Sequence, residues 1–358
     1  MQLPDFDIKN KIQDCKSRIQ VNPNDSESYF VLANIYIYEK KYKKAINVYK
    51  SLIKLQPENI KALTGLASTL FLNGELAEAE KIFLNAIEID NQNPNLYYNL
   101  AGIYAQKSDF MKAVINYKKA MDLNPENPEI YAGLGIVFQD MEKYEEAIAN
   151  YKKSIKLNPN NPEYHINLAS IYQENTETQK AIEEYKIAYD LDKSDYKSLI
   201  CIANSYSELE NFDEASEYYQ RAIDIEPSFY KSYLCCGISK TEAGNINEAI
   251  ELFKKALKLN PNDEKIYLIL ANTLVEEQCY DEAIEYYKKA IKINDKNTTA
   301  FLTLGNTLTL KGDLENAIKY YRKATKLAPE NKEIMLIYTE AIEEYTTNAI
   351  MNINTTEE

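Results

Sequence analysis

A period of 34 residues runs through most of the chain and constrains its fold more than any other feature. An alanine recurs nine times at this spacing, and an aromatic residue follows each alanine four positions later. The alanines are Ala45, Ala79, Ala113, Ala147, Ala181, Ala215, Ala249, Ala283 and Ala317, and the aromatic residues are Tyr49, Phe83, Tyr117, Tyr151, Tyr185, Tyr219, Phe253, Tyr287 and Tyr321. Nine matches without an insertion indicate a tandem array of one structural unit.

Each unit has the pattern of two helices. With residue 26 as position 1, nine repeats occupy residues 26–331. Positions 4, 7, 8 and 11 are apolar or small, and so are positions 17, 20, 21, 24, 27 and 28, which are two stripes at helical spacing. Asparagine or aspartate at position 34 is placed to cap the next helix in eight of nine cases: Asn59, Asn93, Asn127, Asn161, Asp195, Asp263, Asn297 and Asn331. The sequence therefore predicts an all-α fold.

Apolar faces beyond the repeats predict a helix at each end of the array. Residues 1–25 are predicted to contain an N-terminal capping helix of the second type, and residues 332–346 a C-terminal capping helix. Such helices would cover the apolar faces that the first and last repeats cannot bury against a neighbour. Residues 347–358 are predicted to form a polar tail.

The repeat resembles that of the tetratricopeptide repeat family at positions 4, 7, 8, 11, 20, 24, 27 and 32, over all nine units. The family's tryptophan at position 4 is absent and is mostly replaced by tyrosine. The resemblance implies a right-handed superhelical solenoid of antiparallel helix pairs, whose concave groove binds peptide segments of a partner. Lysine never occurs at position 5, so the family's mode of capturing an acidic chaperone C-terminus is not expected.

Composition argues against several classes of function. The chain has 41 basic and 55 acidic residues, a net charge of −14, whereas nucleic-acid binders present a basic surface. It has no apolar run long enough to cross a membrane, and its five cysteines have no CxxC spacing, so we expect a cytoplasmic protein. A single histidine, His165, lies at core position 4, and no phosphate-binding or nucleophile motif occurs. We therefore expect no enzyme activity, metal or cofactor, and neither nucleic-acid nor membrane binding.

Helix geometry singles out one face of the first helices. Positions 2, 6, 9 and 13 lie opposite the core stripe and should be exposed, and the family resemblance adds that they line the groove. Position 13 is acidic in five consecutive repeats, at Asp140, Glu174, Glu208, Glu242 and Glu276. Amides occur at position 6 in Asn99 and Asn167, and at position 9 in Asn34, Asn204, Asn272 and Asn306. Lysines occur at position 2, in Lys61, Lys197, Lys231 and Lys265.

These residues suggest what the face would bind. Repeated like charge is relieved by a cationic ligand, and asparagine can both donate to and accept from a peptide backbone. We therefore expect a protein or peptide partner, with a basic segment at the acidic row. The alternative interpretation of this row is a solvated face of an acidic protein. Positions 5 and 12 are often apolar, and we expect them to be half-buried between first helices rather than to form ligand pockets.

The leading hypothesis is a non-catalytic interaction scaffold. An accessory docking subunit of an enzyme or envelope-assembly complex is the alternative, and a stand-alone enzyme is the third. The oligomeric state is left open. The seventh repeat should be the least protected internal one, because it has Cys236 and Lys240 where other repeats have aliphatic or aromatic side chains.

Overall fold

The structure is a computed structural model that describes residues 5–356, with side chains from 7 to 348. Within that range the chain forms twenty helices and no strand. It divides into two compact units, residues 1–176 with α1–α10 and residues 177–358 with α11–α20. The predicted all-α architecture is confirmed.

The helices alternate between thirteen and fourteen residues across the repeats. In the first unit they are α1 (Asp5–Val21), α2 (Ser26–Tyr38), α3 (Tyr42–Leu55), α4 (Ile60–Leu72), α5 (Leu76–Ile89), α6 (Pro94–Gln106), α7 (Phe110–Leu123), α8 (Pro128–Asp140), α9 (Tyr144–Leu157) and α10 (Pro162–Glu174). In the second they are α11 (Thr178–Leu191), α12 (Tyr196–Glu208), α13 (Phe212–Ile225), α14 (Tyr230–Glu242), α15 (Ile246–Leu259), α16 (Glu264–Glu276), α17 (Tyr280–Ile293), α18 (Thr298–Leu310), α19 (Leu314–Leu327) and α20 (Lys332–Thr356). In each unit, helices consecutive in the chain pack against one another.

Side-chain caps begin the first helices, as the sequence predicts. All eight asparagine or aspartate residues at position 34 accept a hydrogen bond from a backbone N–H of the first turn. Phe229, which holds this position before α14, provides no such bond. Because a missing cap costs about 1 kcal/mol, α14 begins less stably than its counterparts.

The turn inside every repeat requires a left-handed residue at position 15. Its φ is positive in all nine repeats, with glycine in only three, Gly74, Gly244 and Gly312. The other six are Lys40, Ser108, Glu142, Thr176, Glu210 and Gln278. An L-residue in this conformation is strained by about 1–2 kcal/mol, so the array tolerates repeated local strain at its turns.

The core consists of small residues opposed by aromatic rings. Each alanine at position 20 has no exposed surface, and each aromatic residue at position 24 is at most 6% exposed. Burial also extends to positions 3 and 10, which the stripe at 4, 7, 8 and 11 did not include. Leu96 and Ile130 at position 3, and Ile103 and Val137 at position 10, are completely buried. A first helix therefore packs on more than one neighbour and needs a wider apolar arc than a simple amphipathic helix.

Both terminal helices have buried residues. In α1, Ile8 and Cys15 are buried, and in α20, Ile334 and Ala341 are buried. Helix α20 continues to Thr356, beyond residue 346 where the sequence pattern placed its end. Residues 357–358 of the predicted polar tail lie outside the described residues.

The seventh repeat contains an open cleft beside its core. At position 11, where Leu274 and Leu308 are buried in the next repeats, Lys240 lies half-buried and pairs with Glu248 at 2.9 Å. The cleft, of about 770 Å³, lies between α13, α14 and α15, and Cys236 and Leu252 line it. A charged group thus replaces the aliphatic side chain that would close this part of the core.

Candidate peptide-binding face

We call the side of the first helices that carries positions 2, 9 and 13 the first-helix face. The five acidic residues of position 13 are exposed, and so are the four lysines of position 2 and the four asparagines of position 9. Asp140 and Glu174 belong to the first unit, and Glu208, Glu242 and Glu276 belong to the second. Within the second unit, three successive first helices therefore present one carboxylate row.

Position 6 does not share this exposure, contrary to the helical-angle argument. Asn99 and Asn167 are half-buried, as are Cys201 and Cys235 at the same position. The aromatic residue at position 24 of the preceding repeat covers this position. At Gly133, for example, an added Cβ would approach the ring of Tyr117 to 2.6 Å. Position 6 would be exposed on an isolated helix, but the neighbouring repeat covers it in the folded array.

Each carboxylate of position 13 is the last residue of its helix. Asp140, Glu174, Glu208, Glu242 and Glu276 end α8, α10, α12, α14 and α16, respectively. The C-terminal end of a helix carries partial negative charge, so an acidic residue there is unfavourable where a basic one would be stabilising. With respect to the helix dipole, therefore, each member of the row is placed at the unfavourable end of its own helix.

The lysines of position 2 are placed against the same dipole. Lys197, Lys231 and Lys265 are the second residues of α12, α14 and α16, close to the positive helix end. Each of these three helices thus has a lysine near its positive N-terminal end and a glutamate at its negative C-terminal end, and both charges are unfavourable there. The two charged edges lie about 16 Å apart, from the helical rise over eleven residues. Local stability does not explain this arrangement.

Tyrosines from the second helices orient three of the four asparagines of position 9. The hydroxyl of Tyr219 donates to Asn204 Oδ1 at 2.5 Å, that of Tyr287 to Asn272 Oδ1 at 2.5 Å, and that of Tyr321 to Asn306 Oδ1 at 2.9 Å. Because each amide oxygen is held from inside, the amide nitrogen is directed outward as a donor. Sequence reasoning missed this pairing, although the constant fifteen-residue spacing of the two positions could have indicated it.

In the first unit, one acidic residue of the face has a structural partner. Gln139 accepts a hydrogen bond from the Tyr151 hydroxyl at 2.9 Å and donates through Nε2 to Glu174 at 2.6 Å. The chain Tyr151–Gln139–Glu174 ties the fourth repeat to the fifth. Glu174 therefore has a role in packing adjacent helices, which distinguishes it from Asp140, Glu242 and Glu276. Among the described residues, those three have no hydrogen-bond or ion-pair partner.

The first unit also has two cavities on this face. One, of about 600 Å³, is lined by Asn34, Tyr49 and Lys61, with the Lys61 ammonium 4.4 Å from the centroid of Phe30. The other, of about 300 Å³, lies between the second and third repeats and includes Phe71 at position 12 and Tyr98 at position 5. Positions 5 and 12 are mostly half-buried, as expected. Residues of these positions line both cavities, and that they form no ligand pocket stays a prediction.

The histidine and the cysteines that could have supported catalysis or metal binding have packing roles instead. His165 is buried, and its Nε2 lies 3.2 Å from the carbonyl oxygen of Pro159. Tyr131 and Tyr267, at the same repeat position, donate their hydroxyls to the carbonyl oxygens of the corresponding prolines. Cys236 is buried, while Cys201 and Cys235 are half-buried. Over the part of the chain that the structure describes, no cluster of three His, Cys, Asp or Glu side chains is arranged for a metal, and no helix has the length and apolarity to cross a membrane.

Comparison with known families agrees with the repeat geometry. Profiles described as TPR repeat match residues 102–142 and 140–175, and profiles described as tetratricopeptide repeat match residues 36–101, 162–195, 240–304 and 299–331. A profile described as YpiA-like, C-terminal tetratricopeptide repeats matches residues 201–263. The chain belongs to the tetratricopeptide repeat family. No curated protein matches it.

The fold also resembles that of a solved structure. The C-terminal part of a TPR repeat-containing protein from Cytophaga hutchinsonii aligns with a TM-score of 0.60 at 19% identity, over 66% of this chain and 98% of that chain. The MamA protein is 28% identical over 48% of this chain and 94% of its own, with a TM-score of 0.44. YrrB, described as a TPR protein with an unusual peptide-binding site, is 20% identical over 55% of this chain and 97% of its own, with a TM-score of 0.45.

Proposed function

We propose that this protein is a non-catalytic interaction scaffold that holds a basic peptide segment of a partner on the first-helix face of its second unit. A role in protein interaction follows from the family. The choice of face rests on one observation: Glu208, Glu242 and Glu276 are exposed at helix ends where their charge is unfavourable. Residues that work against stability in successive repeats are expected at functional sites.

The neighbouring donors support an extended peptide as the ligand. Asn272 and Asn306, in consecutive repeats, direct their amide nitrogens outward because Tyr287 and Tyr321 hold the oxygens. Such donors can bind backbone carbonyls of an extended chain, whatever its side chains are. Basic side chains of the same peptide would then lie against the carboxylate row. In this binding mode the amides contribute affinity and the carboxylates contribute charge selection.

The test replaces the three carboxylates together, as Glu208→Gln, Glu242→Gln and Glu276→Gln. The probe is a fluorescein-labelled peptide of alternating lysine and glycine, and an equivalent glutamate–glycine peptide serves as the negative probe. We expect the variant to lose most of its affinity for the lysine peptide at low salt. We also expect a slightly higher melting temperature, because three unfavourable helix-end charges are removed.

A matched control separates this effect from net charge. Glu217→Gln, Glu251→Gln and Glu285→Gln remove three exposed carboxylates from the second helices of the same repeats. This control should bind the lysine peptide nearly as tightly as the unmodified protein. Equal loss in both triple variants would mean that the peptide responds only to overall charge, and undiminished binding in the first variant would refute the proposed face.

A further inference from the structure

The cavity of about 300 Å³ in the first unit, which we call the repeat-2/3 pocket, exists because two side chains are small. Ser68 and Gly102 hold position 9 of the second and third repeats, so two adjacent first helices both have a small side chain there, whereas most other repeats have asparagine or isoleucine. An added Cβ at Gly102 would meet only the Tyr117 hydroxyl oxygen, at 4.0 Å. The face is therefore open above Phe83 and Tyr117, the aromatic residues of position 24 in these two repeats.

The walls of the repeat-2/3 pocket are largely aromatic. Phe71, Phe83, Tyr98 and Tyr117 line it, and the rings of Tyr98 and Tyr117 meet edge to face with centroids 5.6 Å apart. Leu72, at position 13, also lines the pocket, and its side chain is about half exposed. No charged side chain lines this pocket. Walls of this kind favour an aromatic occupant, because ring pairs add stabilisation beyond the burial of apolar area.

Two polar groups in the pocket are left to a ligand. Tyr117 is only 6% exposed, yet among the described residues its hydroxyl has no hydrogen-bond partner, whereas its counterparts Tyr287 and Tyr321 donate to asparagine. Burial raises the pKa of Tyr117 far above its usual range, so the group remains a neutral donor. Asn99 donates through Nδ2 to the Asn95 carbonyl at 2.7 Å, which leaves its own amide oxygen as an acceptor.

We propose that the repeat-2/3 pocket binds a tyrosine side chain of the partner peptide. A phenol matches each feature: its ring packs against the aromatic walls, and its hydroxyl can accept from Tyr117 and donate to Asn99. Phenylalanine would leave the Tyr117 hydroxyl unpaired, and leucine would also lose the ring contacts. The inference rests on the proposed function, because it assumes that the occupant is part of a bound peptide.

The experiment uses the full chain and three small probes: the N-acetyl amides of tyrosine, phenylalanine and leucine. Protein labelled with ¹⁵N-glycine gives one backbone amide signal for each of nine glycines. Gly102 lines the pocket and Gly133 lies against the Tyr117 ring, while Gly244 and Gly312 are turn residues in the other unit. The tyrosine probe at about 10 mM, above the Kd expected for its size, should shift the signals of Gly102 and Gly133 and not those of Gly244 and Gly312.

Three variants make the result specific. Gly102→Leu should fill the pocket and weaken the tyrosine probe at least about tenfold, while Gly102→Ala leaves the pocket open and serves as the control, since both changes favour the helix. In Gly102→Leu, Gly133 reports binding. Tyr117→Phe should remove the roughly three- to tenfold preference for tyrosine over phenylalanine that one hydrogen bond supports. This change in preference is not expected from a purely structural role of Tyr117.

Several outcomes would overturn the proposal. These are an absence of shifts at Gly102 and Gly133, equal binding of the phenylalanine probe to the unmodified protein, and binding that survives Gly102→Leu. A shift of Gly102 with protein concentration alone would show that the pocket takes a side chain of a second copy instead. If the probes fail while the lysine–glycine peptide binds the second unit, only this pocket assignment is refuted. If the lysine–glycine peptide fails while the tyrosine probe binds, the carboxylate face is refuted and the pocket stands.

Discussion

Replacing Lys240 by leucine should stabilise the seventh repeat and close the cleft beside it. The lysine occupies a core position of α14, and its side chain is 24% exposed, whereas Leu274 in the next repeat is 2% exposed. A leucine side chain fully buried contributes about 1.5–3 kcal/mol relative to an exposed one. Since burial here is incomplete and the lysine stem already covers some apolar surface, we reduce this gain to about 1–2 kcal/mol.

The substitution also removes an ion pair, whose loss must be subtracted. Lys240 and Glu248 are 2.9 Å apart, but the Glu248 side chain is 65% exposed. Pairs of this kind contribute about 0–1 kcal/mol. The net stabilisation expected for Lys240→Leu is therefore about 1 kcal/mol, obtained by subtracting the pair from the apolar gain.

Amide hydrogen exchange followed by peptide-resolved mass spectrometry measures this change where it occurs. Repeats of a solenoid interact with their neighbours only, so the effect should be concentrated in α14 and α15 and decline with distance. About 1 kcal/mol corresponds to roughly fivefold slower exchange for amides that open with the repeat. In the unmodified protein, the same experiment tests whether this repeat is the least protected internal one, for which the absent cap at Phe229 is a second reason.

Two controls accompany the experiment. Glu248→Gln breaks the ion pair and retains the lysine, so it should alter exchange by less than about twofold. Leu274→Lys makes the reverse change in the eighth repeat and should strongly accelerate exchange there, because it places an unpaired charge in a closed core. The reasoning is refuted if exchange in α14 is unchanged or faster in Lys240→Leu, because the cleft would then not be a defect of packing.

Two further predictions concern the turns and the pH dependence. Glu210→Gly should stabilise the protein by about 0.5–1 kcal/mol, because the relief of about 1–2 kcal/mol of left-handed strain exceeds the stability lost when glycine gives the unfolded chain more conformational entropy. Gly244→Ala at the same turn position should destabilise the protein. A lower melting temperature for Glu210→Gly would contradict this prediction. Lys107, with help from Tyr104, holds the pKa of Glu80 below its usual range. The stability that this lowered pKa contributes is present above the unfolded pKa of about 4.3 and is lost as the pH falls through the lower folded pKa. In urea titrations near pH 4, the free energy of unfolding should depend less on pH in Lys107→Met than in the unmodified protein. An identical pH dependence in the two proteins would show that Lys107 does not lower the pKa of Glu80.

Much of the local structure could be predicted from the sequence because it depends on neighbours within one repeat. The caps at Asn59 and Asp195 satisfy N–H groups two or three residues further along, so their position relative to the helix start is sufficient to identify them. The burial of Ala113 and Tyr117 follows from the helical period. These features involve short separations in the chain and can be recognised in the amino-acid pattern alone.

The candidate site was predictable only in part, because contacts between helices determine it. Exposure of Glu242 and Glu276 followed from the helical angle, and the structure agrees. The half-burial of Asn99 did not follow, because position 6 faces the preceding repeat. The pairing of Tyr287 with Asn272 was also missed, since it joins two helices of one repeat. The helical period of one helix gives no information on either contact.

The sequence by itself determined that this chain is an array of helix pairs, because the period of 34 residues repeats every cap, turn and core position in register. It also indicated which residues of the first helices carry charge. Tertiary structure decided which polar groups remain for a ligand, since that depends on partners supplied by other helices. The hydroxyl of Tyr321 is occupied by Asn306, whereas Gly102 leaves that of Tyr117 without a partner. These two tyrosines have the same position in the repeat, and they differ in the residue that the neighbouring helix places against the hydroxyl.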